Sequence, residues 1–223
     1  MHKSFFIPLS LFALVLLSSC VTVIPERFES NLKFLATYGY VEYNFKGNVL
    51  VADAALDVQS KKTTQAETDK MMREVEQTIL ADDRNAMGER QFRSLKYLGG
   101  NRFSAEQQVK SSFVEDISYF QSGDSVVFVE ITENDQPDDP KYYGEYTIKA
   151  FALDDEMRAK MSQLKVSQRG TFSVETDCRV LKHNANTVAR NGRNYIYTWR
   201  IEGKQESPAM MTLRAQVPRG TRH

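Results

Sequence analysis

Cys178 and His183 are the two residues of this 223-residue chain whose side chains suit nucleophilic chemistry and stand close together in sequence. A thiolate–imidazole pair needs both groups on one side of the backbone. Here the spacing is odd. The surrounding residues Phe172, Val174, Thr176, Cys178 and Val180 alternate with polar ones, so a continuing strand sends the two side chains to opposite faces. By the same rule Asp177 faces away from the cysteine. Cys178 therefore reads as a small buried core residue rather than a reactive thiol. Metal-ligand spacings such as C-x-x-C or H-E-x-x-H do not occur, and neither does the G-x-S-x-G nucleophile elbow. The acidic run Asp135, Asp138, Asp139 lacks the glycine and closing glutamate of a calcium loop. Gly99-Gly100-Asn101 lacks the Lys-Ser/Thr ending of a phosphate loop. Tyr142-Tyr143 and the series Tyr195, Tyr197, Trp199 offer a surface for a glycan or apolar ligand, but alternation in a strand places such residues in a core just as well. Arg102, Arg190, Arg193 and Arg200 stand among these aromatics, a combination that can stack single-stranded nucleic acid. These residues call for no metal, no cofactor and no enzymatic reaction.

The first twenty residues differ from the rest. His2 and Lys3 make a weakly positive start, and Phe5 to Leu17 is almost wholly apolar and uncharged. Thirteen helical residues rise only about 20 Å, short of the ~30 Å hydrocarbon core, so an export signal fits better than a membrane span. The run ends Leu17-Ser18-Ser19-Cys20. This resembles the lipobox of bacterial lipoproteins, and the resemblance implies cleavage before Cys20, diacylglycerol on its sulfur and an acylated amine. Two or three acyl chains anchor stably, each buried CH₂ contributing roughly 0.8 kcal/mol. With Val21 rather than Asp after the cysteine, the resemblance implies sorting to the inner leaflet of an outer membrane, facing the periplasm. Export makes a nucleic-acid partner improbable. So does the charge balance, with 29 Lys+Arg against 29 Asp+Glu and no basic surplus. With Cys20 lipidated, Cys178 is left alone and no intramolecular disulfide can form.

The elements that would position these residues follow from period and turn chemistry. Residues 1–19 are read as signal peptide, 20–37 as lipidated cysteine and tether, 38–218 as a single domain and 219–223 as a frayed tail. Pro25 argues against early regular structure, and a free stretch of this length spans about 20–25 Å. Phe28, Leu32 and Leu35 at i, i+4, i+7 suit a short amphipathic helix within it. From Tyr38 the period becomes two. Val41, Tyr43 and Phe45 predict a strand, Lys46-Gly47-Asn48 a turn or bulge, and Val49 to Val58 further strand. Thr64 and Glu67 form a capping box before a helix from Gln65 to about Ala81 that carries Met72, Val75 and Ile79 on one side. Strands are expected over Ser94–Leu98 and Arg102–Val109 around Gly99-Gly100-Asn101, over Ser125–Thr132 and over Glu145–Leu153. Asp154–Gln163 suits a short helix. Three more strands follow through Phe172–Val180, Tyr195–Ile201 and Met211–Val217, with turns at His183–Asn186 and Asn191-Gly192. The sum is an α+β fold: a mostly antiparallel sheet of about seven or eight strands with one main helix packed on one face.

The layout of strands, helix and strands behind a lipobox is similar to that of LppM-like bacterial lipoproteins. The segment from Gly170 through Trp199, with Thr176, Val180, His183-Asn184-Ala185 and Tyr197-Thr198-Trp199, resembles their terminal strand–turn–strand. The resemblance concerns about half the chain, implies a lipid-binding α+β domain at the envelope and transfers no binding residue. The expected function is therefore that of a non-enzymatic, lipid-anchored envelope protein, held to membrane lipid through acylated Cys20, that binds an apolar ligand or a partner protein. A structural role, docking onto an envelope complex, is the alternative. An uncharacterised envelope enzyme is the third reading.

Overall fold

The computed structural model describes residues 22–85, 90–112, 118–119, 129–134, 142–203 and 207–216. The apolar leader, Cys20, the Asp135–Asp139 loop and the C-terminal tail lie outside these residues, as do the side chains of Tyr142 and Tyr143.

Twelve strands and three α-helices are described. They are β1 (Val23–Leu35), β2 (Tyr40–Val51), α1 (Ala52–Gln59), α2 (Gln65–Asn85), β3 (Arg90–Gly99), β4 (Arg102–Ser112), β5 (Ser118–Tyr119), β6 (Val129–Glu133), β7 (Tyr142–Ala150), α3 (Asp155–Leu164), β8 (Gln168–Thr176), β9 (Arg179–His183), β10 (Thr187–Asn191), β11 (Asn194–Gly203) and β12 (Ala209–Gln216). The strands form two sheets, one ordered β10-β11-β8-β1-β2-β4-β3 and the other β5-β6-β7-β12-β9. Every pairing is antiparallel except β1 with β8. The expectation of a single sheet with one main helix is thus corrected to a predominantly β, two-sheet architecture.

One face of the seven-stranded sheet carries the core. In register across it lie Phe172, Ser30, Phe45 and Gln107, then Val174, Leu32, Tyr43 and Val109. The five-stranded sheet packs over part of this face with Ile131, Tyr146, Ile148, Met211 and Leu213. Phe34 of β1 meets Tyr146 of β7 with ring centroids 5.3 Å apart. α2 packs on the β3 side, where Met72 joins Leu95, Tyr97 and Phe103 in the same core. Its capping box forms as the spacing predicts. The Thr64 N–H donates to Glu67 Oε2 at 2.9 Å, and the Glu67 N–H donates back to Thr64 Oγ1 at 3.3 Å. Asp154 caps α3 by accepting the Met157 N–H at 2.7 Å.

Four expectations are overturned, each for a physical reason. The segment read as tether and amphipathic helix is β1, a central strand of the large sheet. Its alternation was hidden by Ser30, a polar residue on the core face. Ser30 is buried because its hydroxyl donates to the Tyr43 hydroxyl at 2.8 Å. Pro25 is accommodated where the β1–β2 register shifts, a bulge that needs no donor from proline. Gly47 is no turn residue; it lies inside β2 opposite Phe28. Ala54, Leu56 and Val58 belong to α1, where alanine-rich helix propensity overrides a short apparent alternation. Finally, the long alternating strand through Cys178 is two strands in different sheets. β8 ends at Thr176, the chain bends at Asp177–Cys178, and β9 begins at Arg179 in the other sheet.

Candidate functional site

The bend at Asp177–Cys178 decides the fate of the proposed nucleophile. Period-two geometry stops there, so Asp177 does not face away. Its Oδ1 lies 3.7 Å from Cys178 Sγ, and its two oxygens accept the backbone N–H groups of Ala36 and Thr37 at 2.8 and 2.9 Å. The carboxylate is a clamp on the turn that follows β1. The Cys178 thiol is buried, and its other contact is the Phe34 carbonyl at 4.0 Å. Burial, reinforced by the Asp177 charge, pushes the thiol from its ordinary 9.0 up to about 12. His183 is exposed on β9. Its ring meets Tyr197 edge-on at 4.9 Å, and its Nδ1 accepts the Ala185 N–H at 3.2 Å. The structure does not bring Cys178 and His183 together. Ellman's reagent is therefore expected to leave Cys178 unmodified in the native protein at pH 8 and to titrate it in urea; rapid native labelling would refute this burial. The same shift makes folding less favourable as pH rises above 9, because the unfolded thiol then ionises while the folded one keeps its proton.

Among the described residues, no group of three or more His, Cys, Asp or Glu side chains converges to hold a metal ion. Three of the four arginines that stood among aromatics are committed elsewhere. Arg102 donates through two nitrogens to Glu26 at 2.8 and 2.9 Å, Arg200 pairs with Glu202 at 2.6 Å, and the Arg190 Nε donates to the Gly192 carbonyl at 3.0 Å. Tyr197 and Trp199 are buried and belong to the core, whereas Tyr195 is 45% exposed.

What the fold does present is an open edge where both sheets end. β9 is the last strand of the small sheet and β10 the last of the large one. All five β10 residues are exposed. Leu181, Val188 and Tyr195, three of the four large apolar side chains exposed among the described residues, lie on β9, β10 and β11. The link between the two edges is rigid. Asn184 Oδ1 accepts the Trp199 indole N–H at 2.7 Å and the Met210 N–H at 2.8 Å, while its Nδ2 donates to the Pro208 carbonyl at 2.9 Å. One side chain thus ties β11 of one sheet to β12 of the other. Asn186 extends the tie, its N–H donating to the Thr198 carbonyl at 2.9 Å and its Oδ1 accepting the Arg200 N–H at 2.6 Å.

Beside β10, on the face of the large sheet away from the core, runs an open groove of about 840 Å³. Glu29, Arg169, Thr171, Thr187, Arg200 and Glu202 are among its lining residues, and their charges balance. An unpaired strand edge offers backbone donors and acceptors, and apolar side chains next to it offer pockets for alternate residues of an added strand. The arrangement therefore suits the addition of an extended polypeptide along β10. The sequence pattern missed this site because edge position is a property of topology. The exposed Val188 alternates as a buried face does, and only the strand order shows that β10 is the last described strand of its sheet.

No family model matches the chain, and no curated protein matches it with significance.

Proposed function

We propose that this is a lipid-anchored cell-envelope protein, not an enzyme, whose β-rich domain binds a partner protein along the β10 edge. The observation that carries the anchor is Leu17-Ser18-Ser19-Cys20 at the end of an uncharged apolar run. No described helix is long and apolar enough to cross a membrane, so attachment in this reading depends on the acyl chains of Cys20. The inner leaflet of an outer membrane is the proposed location.

The choice of partner protein over acyl ligand is supported by how the interior is filled. Between the sheets Phe28, Phe45, Phe151, Phe172 and Trp199 stack in a continuous row, with centroid separations from 4.3 to 6.0 Å. The groove beside β10 is open rather than enclosed, and charged side chains stand among its lining residues.

Two measurements test the proposal together. Cys20→Ser is expected to abolish incorporation of labelled palmitate and to shift the protein from the membrane fraction to the soluble one. In the lipidated protein, a photo-crosslinking residue at Val188 or Leu181 is expected to yield one discrete protein adduct in cells. The same residue at Lys110, exposed on β4 and separated from β10 by four strands, should not. Unchanged palmitate in the Cys20→Ser protein overturns the anchor. Identical adducts from all three positions, or none from any, overturn the binding edge.

A further inference from the structure

On the reading that Cys20 carries the lipid, the described chain starts almost at the anchor. Thr22 is the second residue after Cys20, and it is fixed rather than free. Its N–H donates to Asp53 Oδ2 at 2.7 Å, its carbonyl accepts the Ala52 N–H at 2.9 Å, and its hydroxyl accepts from Lys160 Nζ at 2.6 Å. Lys160 in turn pairs with Asp53 at 2.6 Å and Glu156 at 2.9 Å. Residue 22 is thus locked to the N-terminus of α1 and to α3. Two residues of extended chain reach at most about 7 Å. The acylated residue cannot stand further than that from this end of the domain.

The same end bears apolar surface. The Val51 N–H donates to the Asn101 carbonyl at 2.9 Å, which sets the tip of the β3–β4 hairpin beside the Val51–Ala52 junction and hence beside Thr22. Leu98, one residue before the hairpin glycines, is 49% exposed, more than any other large apolar side chain described. Leu56 and Val58 of α1 are half-buried and part of neither core cluster. Lys61 and Lys62 follow directly and are exposed. Lys62 also pairs with Asp57 of α1 at 3.3 Å. Apolar side chains with lysines beside them suit the headgroup boundary of a bilayer.

We infer that the α1 helix and the β3–β4 hairpin form a membrane-contacting face, pressed onto the lipid headgroups of the leaflet that holds the anchor, so that the domain stands on the bilayer in one orientation. β1 then rises from the membrane for thirteen residues, about 40 Å at ~3.3 Å per residue. The Asn191–Asn194 hairpin lies at the far end, since β8 runs parallel to β1 and its last residue, Thr176, pairs with Tyr195. The β10 edge is held up and away from the lipid, where a partner can reach it.

The test uses the full lipidated protein reconstituted in vesicles of phosphatidylethanolamine and phosphatidylglycerol. Single cysteines replacing Leu56, Leu98 or Arg193 are labelled with an environment-sensitive fluorophore. Buried Cys178 stays unlabelled, which the protein without an added cysteine checks. Lipids brominated near the headgroup are expected to quench the probes at 56 and 98 several-fold more than the probe at 193, with blue-shifted emission at the first two. Equal or absent quenching at all three positions, in protein shown by mass to carry acylated Cys20, overturns the orientation and leaves the anchor standing. Absence of acyl mass on Cys20 overturns the anchor itself and the orientation with it.

Discussion

Phe172→Ala is expected to lower the stability of the domain by about 3–5 kcal/mol, the range for truncating a fully enclosed aromatic. Phe172 lies on β8, the strand that joins the β10–β11 edge to β1 in the large sheet. Its side chain is completely buried. Its ring packs 5.8 Å from Phe151 and 5.4 Å from Trp199, so it links the end of β7 to β11 through the middle of the core. Removing it leaves a cavity walled by rings that are each held by other contacts, so the site cannot collapse onto the space. Urea unfolding can be followed by Trp199, the only tryptophan, which is 3% exposed in the folded protein. With a slope of about 2 kcal/mol/M, the midpoint is expected to fall by roughly 2 M. A shift of less than about 0.5 M, roughly 1 kcal/mol on the same slope, would show that Phe172 is not the keystone described here.

Gly170→Val is the second large effect expected, a loss of about 3 kcal/mol or a failure to fold. Phe28 on β1 has a glycine opposite it on both sides, Gly47 on β2 and Gly170 on β8. A Cβ built on Gly170 would lie 2.4 Å from the Phe28 carbonyl oxygen and 2.8 Å from two atoms of its ring. A Cβ on Gly47 would lie 2.4 Å from the Arg27 carbonyl oxygen and 2.6 Å from Phe28 Cβ. Backbone atoms cannot move aside as the end of a flexible chain can. The Phe28 ring needs this room because it stacks on Phe151 at 4.3 Å and on Phe45 at 6.0 Å. Gly170→Ala tests the same contact with the smallest possible side chain. It is expected to destabilise less than valine but in the same direction, in the same urea measurement. A Gly170→Val protein as stable as the parent would remove the steric account. Phe172 packs against Phe151, which stacks on the Phe28 ring that Gly170 faces, so their effects are not expected to add.

Much of the local structure was legible in the residues. The helix over Gln65–Asn85 announced itself because a capping box satisfies donors three residues apart, an interaction complete within one turn. The turns at Gly99-Gly100-Asn101 and Asn191-Gly192 were legible for a similar reason: all but Asn191 have positive φ, which glycine and asparagine tolerate best. Tyr197, Trp199 and Ile201 were readable as a core face, since alternation records which side of a strand is buried. Alternation does not record which sheet does the burying. The apolar alternation from Phe172 to Val180 runs on in the sequence although the strand geometry breaks at Asp177–Cys178, because β8 and β9 face a shared interior. For the same reason a single sheet of seven or eight strands seemed sufficient.

The misread segments share one cause, a partner distant in sequence. Ser30 looked like a break in a hydrophobic pattern until Tyr43 supplied its hydrogen bond. Gly47 looked like a turn because nothing nearby reveals the Phe28 ring against it. The chain from Val23 to Leu35 looked like a free tether. The parallel pairing of β1 with β8 brings together residues about 140 positions apart, with no signal in either segment alone.

By itself, then, the sequence determined the features whose physics closes within a few residues: the caps, the glycine turns and the inward side of most strands. Tertiary structure alone decided which strands pair, that Asp177 turns back to clamp the residues after β1, that β10 is the last described strand of its sheet, and that Thr22 is bolted to the body of the domain. Those outcomes depend on contacts between residues tens to more than a hundred positions apart, and a short window of sequence carries no trace of its partner in space.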